Sequence, residues 1–498
     1  MSRKKIAIIG SGFSGLSSAA YLAKKGYEVQ VFEKNECLGG RARKFEIDGF
    51  SFDMGPSWYW MPDVMENFFK DFGSKVNDHF ELKKLSPAFN LIFEGNEKIS
   101  IPNDYQELRN LFEQIEKGSS AELDKFMLDA QKKYEISFSN LIEKPGLSIS
   151  EYLDFETIKA SMNMSLFGSY QKMVYKKFKN PKLRALMEFP VLFLGAKPEN
   201  TPSLYSLMNY AGLKLGTYYP MGGFYSLVEA MVAVCKEQGV VFHKNSNITK
   251  INIINKIAKS ISVDGEKIEV DGIIGSADYH HVESLIPKEH RNYSEEYWTK
   301  RTFAPSSLIF YLGINKKINN LEHHTLFFDT NFEQHATEIY DTKKWPEKPL
   351  FYVCTPSKTD PNVAPLNNEN LFLLMPMATG IDDTEELREK YFKILIERLE
   401  RQVGEKITDN IVVKKSYCIK DFKNDYNAYG GNAYGLANTL NQTAIFKPKI
   451  INKKIKNLVY TGQLTVPGPG VPPSIISGKI AANLLCKTLK QQTNEITF

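Results

Sequence analysis

The sequence predicts an α/β chain in which a discontinuous Rossmann-type domain is joined to a second, α+β domain. Three observations carry this. A βαβ unit with three spaced glycines opens the chain at 6–33, a second apolar run (DGIIGSAD) appears at 271–278, and a strand, a Pro/Gly-rich turn and a helix close it at 457–489.

The opening unit justifies itself residue by residue. Ile6 to Ile9 are continuously apolar, as a buried parallel strand requires. Gly10, Gly12 and Gly15 follow at G-x-G-x-x-G spacing. Gly10 permits the tight turn, Gly12 lets the backbone approach a pyrophosphate, and Gly15 lets the helix pack closely on the sheet. Leu16, Ala19, Ala20, Leu22 and Ala23 recur at helical period, and Gly26 ends that helix. A second strand, 28–32, ends at Glu33, eighteen positions after the last glycine. Its carboxylate is placed to accept hydrogen bonds from ribose hydroxyls, and it argues against a 2′-phosphate. The helix N-terminus offers N–H groups and a positive dipole end to the phosphates. Residues 34–43, KNECLGGRAR, add the pair Gly39-Gly40 and Arg41, which bring more N–H groups and a cation to a longer anionic cofactor.

The rest of the chain is read the same way. Residues 45–56 form a hairpin turning at Asp48-Gly49. The next loop, SWYWMP, holds Trp58, Tyr59 and Trp60, either an apolar wall beside the cofactor or an aromatic core plug. An amphipathic helix over 63–72 follows, then a strand pair turning at Gly95-Asn96, then helices over 105–143. Residues 162–194 mix Met, Phe, Tyr and Leu with lysine, as a helical core, an apolar tunnel or a surface dipping into lipid headgroups would. A helix with Leu227, Ala230, Met231 and Val234 on one face, ended by Gly239 and followed by a strand, then strands over 247–251 and 259–263 and the second apolar run within 267–277, return the chain to the first domain. Strands near 307–313, 326–329, 350–354, 371–375 and 411–418, with a helix over 384–402, build the second domain. The turn VPGPGVPP at 466–473 leads into a helix over 475–489, whose N-terminus is suited to stabilise negative charge on a reduced ring. The boundaries are 1–105, 215–290 and 455–498 for the three parts of the cofactor domain, 106–214 for a helical substrate or membrane-associated region, and 291–454 for the second sheet and its helices.

Composition limits the function classes. With 498 residues the chain is long enough for two or three domain-sized units. A net charge of +5 is too small an excess at this length to argue for nucleic acid. The five cysteines are odd in number and contain no C-x-x-C pair, so neither a disulfide framework nor a zinc signature is read, and no metal is expected. A cytoplasmic setting is the default expectation for such cysteines, and with the first strand starting within about five residues of Met1 no signal peptide is expected. No apolar stretch reaches the ~18 residues of a membrane span, so membrane contact is expected to be peripheral.

Glu33 with Gly39-Gly40-Arg41 resembles the extended FAD fingerprint of the flavin amine oxidase and phytoene desaturase superfamily. FDMGPSWYWMPDVMENFF (52–69), YYPMGGFYSLVEAM (218–231), GSADYHHVE (275–283), LEHHTLFF (321–328) and NLVYTGQLTVPGPGVPPSIISGKIAA (457–482) extend the likeness along the chain. They resemble the bacterial phytoene desaturase family of carotenoid biosynthesis. The resemblance implies FAD and a linear apolar polyene whose C–C bonds are oxidised to C=C, from phytoene toward lycopene. It places Gly10, Gly12, Gly15, Glu33, Gly40, Arg41, Gly462 and Val471 at the FAD. Gln463-Leu464-Thr465 and Pro469 depart from the small-residue run usual in that family, which leaves the substrate and the number of desaturation steps open. The electron acceptor, quinone or oxygen, is open too. No catalytic base is assigned: His280, His281, His323 and His324 are candidates by residue type, beside an Asp, a Glu or water. Two other readings stand beside this one. The first is a desaturase or isomerase of a later, for example hydroxylated, carotenoid. The second is a flavin-free lipid chaperone on the same fold, like the Rab GDP-dissociation inhibitors, against which the intact glycines, Glu33 and Gly40-Arg41 argue.

Overall fold

The computed structural model describes residues 3–152, 168–192 and 195–496; residues 162–167 and 193–194 of the Met- and Phe-rich stretch lie outside them. A five-stranded parallel sheet is drawn from four distant parts of the chain. Its order is Leu458–Tyr460, Gly272–Gly275, Lys5–Ile9, Glu28–Phe32 and Val241–His243. Ile8 pairs with Ile274 on one side and Val31 on the other, and Ile274 pairs with Val459. Ile6, Ile8, Val29 and Val31 are buried, as strands covered on both faces demand. The Rossmann-type domain is therefore discontinuous, as predicted.

The glycine-loop helix, Phe13–Lys24, packs against the C-terminal helix, Val471–Ile496, and both contact this sheet. Their approach is close because both surfaces are small. A Cβ on Gly478 would stand 2.4 Å from the Ser14 carbonyl oxygen. Ser17 Oγ donates to the Ile475 carbonyl at 2.7 Å, and Ser18 Oγ to the Gly478 carbonyl at 3.0 Å. The C-terminal helix starts four residues before the predicted Ile475. Pro472 and Pro473 fit its first turn, where an N–H has no helical acceptor to lose.

The second sheet has seven strands: Ile411–Tyr417, Ser306–Ile314, Glu369–Met377, Phe351–Cys354, His324–Phe328, Phe89–Phe93 and Glu97–Ile101. The last two were expected within 1–105, with the cofactor domain; they belong to this sheet instead. The reason is visible in the burial of Phe89, Asn90, Leu91 and Ile92, on both faces of one strand. A strand covered on both faces has its backbone N–H and C=O groups shut off from water, so both edges need partners, and Glu97–Ile101 fills one and His324–Phe328, in parallel, the other. The helix Glu385–Val403 covers the outer face, capped by Thr384 Oγ1 accepting from the Leu387 N–H and ended by Gly404 at φ +79. Phe392, Leu395 and Leu399 sit against Leu308, Phe310 and Leu373, each such burial contributing about 2 kcal/mol. The hairpin Lys44–Ile47 with Phe50–Asp53 turns at Asp48 (φ +51) and Gly49 (φ +80), the two positive angles its two-residue loop requires. Among the described residues no helix is long and apolar enough to cross a membrane.

Candidate functional site: a dinucleotide cleft opening into an apolar chamber

A single cavity of about 470 Å³ runs from the glycine loop to the aromatic loop. At one end it is lined by Gly10, Ser11, Gly12, Glu33, Gly40 and Arg41, and further along by Gly462, Gln463, Gly470 and Val471. Seven of the eight residues expected at the cofactor thus share one wall, although they come from opposite ends of the chain.

Each has a local reason. Gly10 adopts φ +95 to turn out of its strand, and its N–H donates to the Phe32 carbonyl at 2.9 Å. A Cβ on Gly12 would meet nothing within 4 Å, so the space in front of that backbone is open to a ligand. Gly15 is the exception. It is not on the cavity wall; a Cβ there would stand 2.2 Å from the Gly10 carbonyl oxygen, so its role is to seat the helix on the strand. Glu33 is buried and held from both sides. One carboxylate oxygen accepts from Ser11 N at 3.1 Å and Ser11 Oγ at 2.7 Å, the other from Asn35 N and Nδ2, both at 3.0 Å.

Arg41 lies in the cavity wall with its guanidinium 5.1 Å from the Tyr426 ring centre. Its Nη2 donates to the Asn432 carbonyl at 3.4 Å, while Nε, fully buried, has no hydrogen-bond partner among the described residues. Burial disfavours its charge and draws its pKa below the usual range, opposed by Asp278. Asp278 caps the helix Tyr279–Ser284 by accepting from His280 N at 3.1 Å, and its second oxygen is buried with no close hydrogen bond among the described residues. Burial raises its carboxyl pKa, with Arg41 pulling the other way. Arg41 and Asp278 thus both line the cleft, and each carries a buried polar atom that no hydrogen bond from the described residues satisfies. A guanidinium and a carboxylate on one cavity suit an anionic, hydroxylated ligand. The C-terminal helix adds its dipole, but Pro472 and Pro473 carry no N–H, and Ser474 N is bonded to the Gly470 carbonyl. Val471 is therefore the first-turn donor free to serve a ligand.

The far end of the cavity is apolar. Trp58 and Trp60 line it together with Phe189, Met208, Leu326 and Leu374. Trp58 lies 5.3 Å from Phe189 and 5.5 Å from Trp60, ring centre to ring centre. Tyr59, expected beside them, points away and packs against Phe80 and Phe224 in the core. In an extended segment successive side chains alternate, so Trp58 and Trp60 share the cavity face and Tyr59 takes the other. The loop is both wall and plug.

The histidines separate. His281 lines the cavity at the dinucleotide end; burial and nearby Lys34 depress its pKa to about 4, so the ring is neutral. His280 pairs with Glu295 at 2.9 Å, outside the cavity. His323 and His324 are buried and do not reach the cavity wall; burial lowers the pKa of both. His324 stacks behind Trp58, ring centres 4.0 Å apart. Ser11, Asp278, Tyr352 and Gly478 were not singled out from the sequence. Only Asp278 had a local signal, an acid at the end of the second apolar run.

The flavin containing amine oxidoreductase family model matches residues 13–486. A carotenoid 3,4-desaturase of Haloarcula japonica is 36% identical over 491 residues, 98% of this chain and 99% of its own length. A 4,4'-diapophytoene desaturase (4,4'-diaponeurosporene-forming) of Staphylococcus haemolyticus is 31% identical over 497 residues, 97% of this chain and 99% of its own. The solved structure of an oxidoreductase from Methanosarcina mazei, 17% identical, superimposes with a TM-score of 0.61 over 95% of this chain and 99% of that one, a likeness of fold. The open backbone at Gly12, the held Glu33 and the buried Arg41 agree with the flavin that the family description names: the chain belongs to the flavin containing amine oxidoreductase family, on the branch of the carotenoid desaturases, and is an FAD-dependent oxidoreductase.

Proposed function

We propose that this chain is a carotenoid desaturase, acting on carbon–carbon bonds of a linear apolar polyene and converting C–C to C=C. The observation that carries the reading is the continuity of one cavity from the FAD residues to the chamber of Trp58, Trp60 and Phe189. A polar metabolite would leave its hydrogen bonds unmade among those rings, whereas a hydrocarbon loses none. Bound FAD would accept a hydride from an allylic carbon, and the neighbouring carbon would lose a proton to water or to a base that is not assigned, which together leave the new C=C bond. Glu33, Arg41, Asp278 and Val471 hold and orient the cofactor. Trp58 and Trp60 exclude water and align the chain of the substrate. The positive charge that develops on the substrate is delocalised along the polyene, so little is asked of protein groups there. This fits an apolar end whose named walls carry no carboxylate.

The finer assignment keeps two substrates in view. Phytoene, carried toward lycopene, follows from the resemblance of the aromatic and Pro/Gly motifs. A later carotenoid is favoured by the identity with a protein named for 3,4-desaturation. The proposed electron acceptor is a quinone or oxygen, and the proposed route of the substrate is from a membrane surface. Parallel incubation of the purified protein with phytoene and with a hydroxylated carotenoid in liposomes, followed by chromatography, separates these substrates. A product with a longer conjugated system from either supports desaturation, and conversion of only the hydroxylated carotenoid selects the second substrate. Full FAD occupancy with both carotenoids unchanged sinks the proposal.

A further inference from the structure

We infer that His323, His324 and Cys354 form a metal site for a thiophilic cation, Zn(II) or Cu(I), set in the second sheet directly behind the chamber wall. One ligand atom from each of the three side chains lies within 4.8 Å of the others, and all three residues are buried. The fold brings them together. His324 is the cross-strand partner of Cys354, so both side chains leave the sheet on one face. His323 stands just before the strand, its carbonyl accepting from the Thr355 N–H at 2.8 Å, and its ring centre is 4.4 Å from that of His324.

The hydrogen bonds around the rings suit ligation. His323 Nδ1 is 2.6 Å from Thr359 Oγ1, and His324 Nδ1 is 2.7 Å from Tyr352 Oη. A hydroxyl on one ring nitrogen fixes the orientation that presents the other to an ion. Those others, Nε2 of both rings, are buried and have no hydrogen-bond partner among the described residues. Two adjacent imidazoles with unused nitrogens beside a buried thiol form an unusual group if nothing lies between them. A small void of about 20 Å³ is lined by His323 and Cys354, with Asp53 facing the same space. Two nitrogens and one sulfur make a soft, three-ligand set that leaves a fourth position open. On binding, the Cys354 S–H bond breaks, its proton leaves to solvent, and the sulfur bonds the cation. The site touches the chamber through two contacts: the His324 ring stacks on Trp58, and Tyr352, which lines the cavity, reaches both His324 and Ser57. An ion there would brace that wall.

The test is metal analysis of the purified holoprotein, stripped with a chelator and titrated with zinc or with cuprous ion, followed by X-ray absorption at the metal edge. The expected result is saturable uptake of one equivalent, a first shell with one sulfur and at least two nitrogens, and affinity at least tenfold weaker in Cys354→Ser and in His324→Gln at unchanged FAD content. Uptake well below one equivalent, or equal affinity in both variants, overturns the site and leaves the void to a water molecule. If a variant loses its FAD, the wild-type absorption spectrum decides: a shell without sulfur refutes the proposal.

Discussion

At the scale of single residues, Gly12 and Gly15 differ more than their shared motif suggests. Gly12 has an ordinary extended φ of −66 and open space where a Cβ would go. Gly12→Ala is therefore expected to fold normally and to bind FAD about tenfold more weakly, a loss of about 1.4 kcal/mol; flavin titration against melting temperature reads both. Gly15→Ala forces a Cβ onto the Gly10 carbonyl, and is expected to yield little soluble protein. Equal FAD affinities for Gly12→Ala and the parent chain would contradict this account of the loop. The aromatic loop gives a second contrast. Tyr59 Oη is buried without a hydrogen-bond partner among the described residues, so Tyr59→Phe is expected to leave activity intact and stability unchanged or higher. Trp58→Ala removes a chamber wall and is expected to lower kcat/KM for a polyene by about tenfold or more while retaining FAD. The motif spacing made the glycines legible, and alternation distinguishes Tyr59 from its neighbours once the loop is known to be extended. Nothing local announced Ser11 as the residue that orients Glu33, because serine in a glycine loop has many uses.

At the scale of elements, the strands and helices followed the hydrophobic period closely, and their partners did not. The strand Phe89–Phe93 reads as half of a local hairpin, yet its second edge is filled by His324–Phe328, more than two hundred residues away in sequence. The meeting of His323, His324 and Cys354 is hidden for the same reason: ligand spacing within one motif is readable, whereas cross-strand register is not. The helix Phe332–Tyr340 supplies a pH prediction. His335 Nδ1 accepts from the Leu350 N–H at 2.7 Å, and Nε2 faces the Pro376 carbonyl at 3.0 Å, tying that helix to the second sheet. Burial first of all lowers its pKa to about 4. The unfolded chain, with a pKa near the ordinary ~6.5, binds the proton more readily between these values. Stability from this group is therefore complete above about pH 6.5 and is lost as pH falls toward 4, by about 2 kcal/mol at pH 5. Denaturation of the parent chain and of His335→Gln at pH 7 and pH 5 checks it: the variant is expected to lose less on acidification, and an identical pH dependence would contradict the assignment.

At the scale of the whole molecule, the sequence motif at 6–33 says only that a dinucleotide is held there. The proposed FAD site comes together because Gly462, Val471 and Asp278 are carried to the cavity of the glycine loop by strands that pair in parallel with Lys5–Ile9 or next to it. Its function depends on the second sheet and the aromatic loop closing an apolar chamber against that wall. Gly478 is where this assembly is tightest, and Gly478→Val is expected to separate the two helices and release FAD, which gel filtration and flavin fluorescence would detect. The central claim is that FAD and a hydrocarbon occupy two ends of one cavity. It is tested most directly by mixing the holoprotein anaerobically with phytoene or a hydroxylated carotenoid in liposomes and following flavin absorbance beside the polyene spectrum. One flavin bleached for each double bond gained is the expected result; a flavin that stays oxidised with both carotenoids, although dithionite reduces it, would contradict the account.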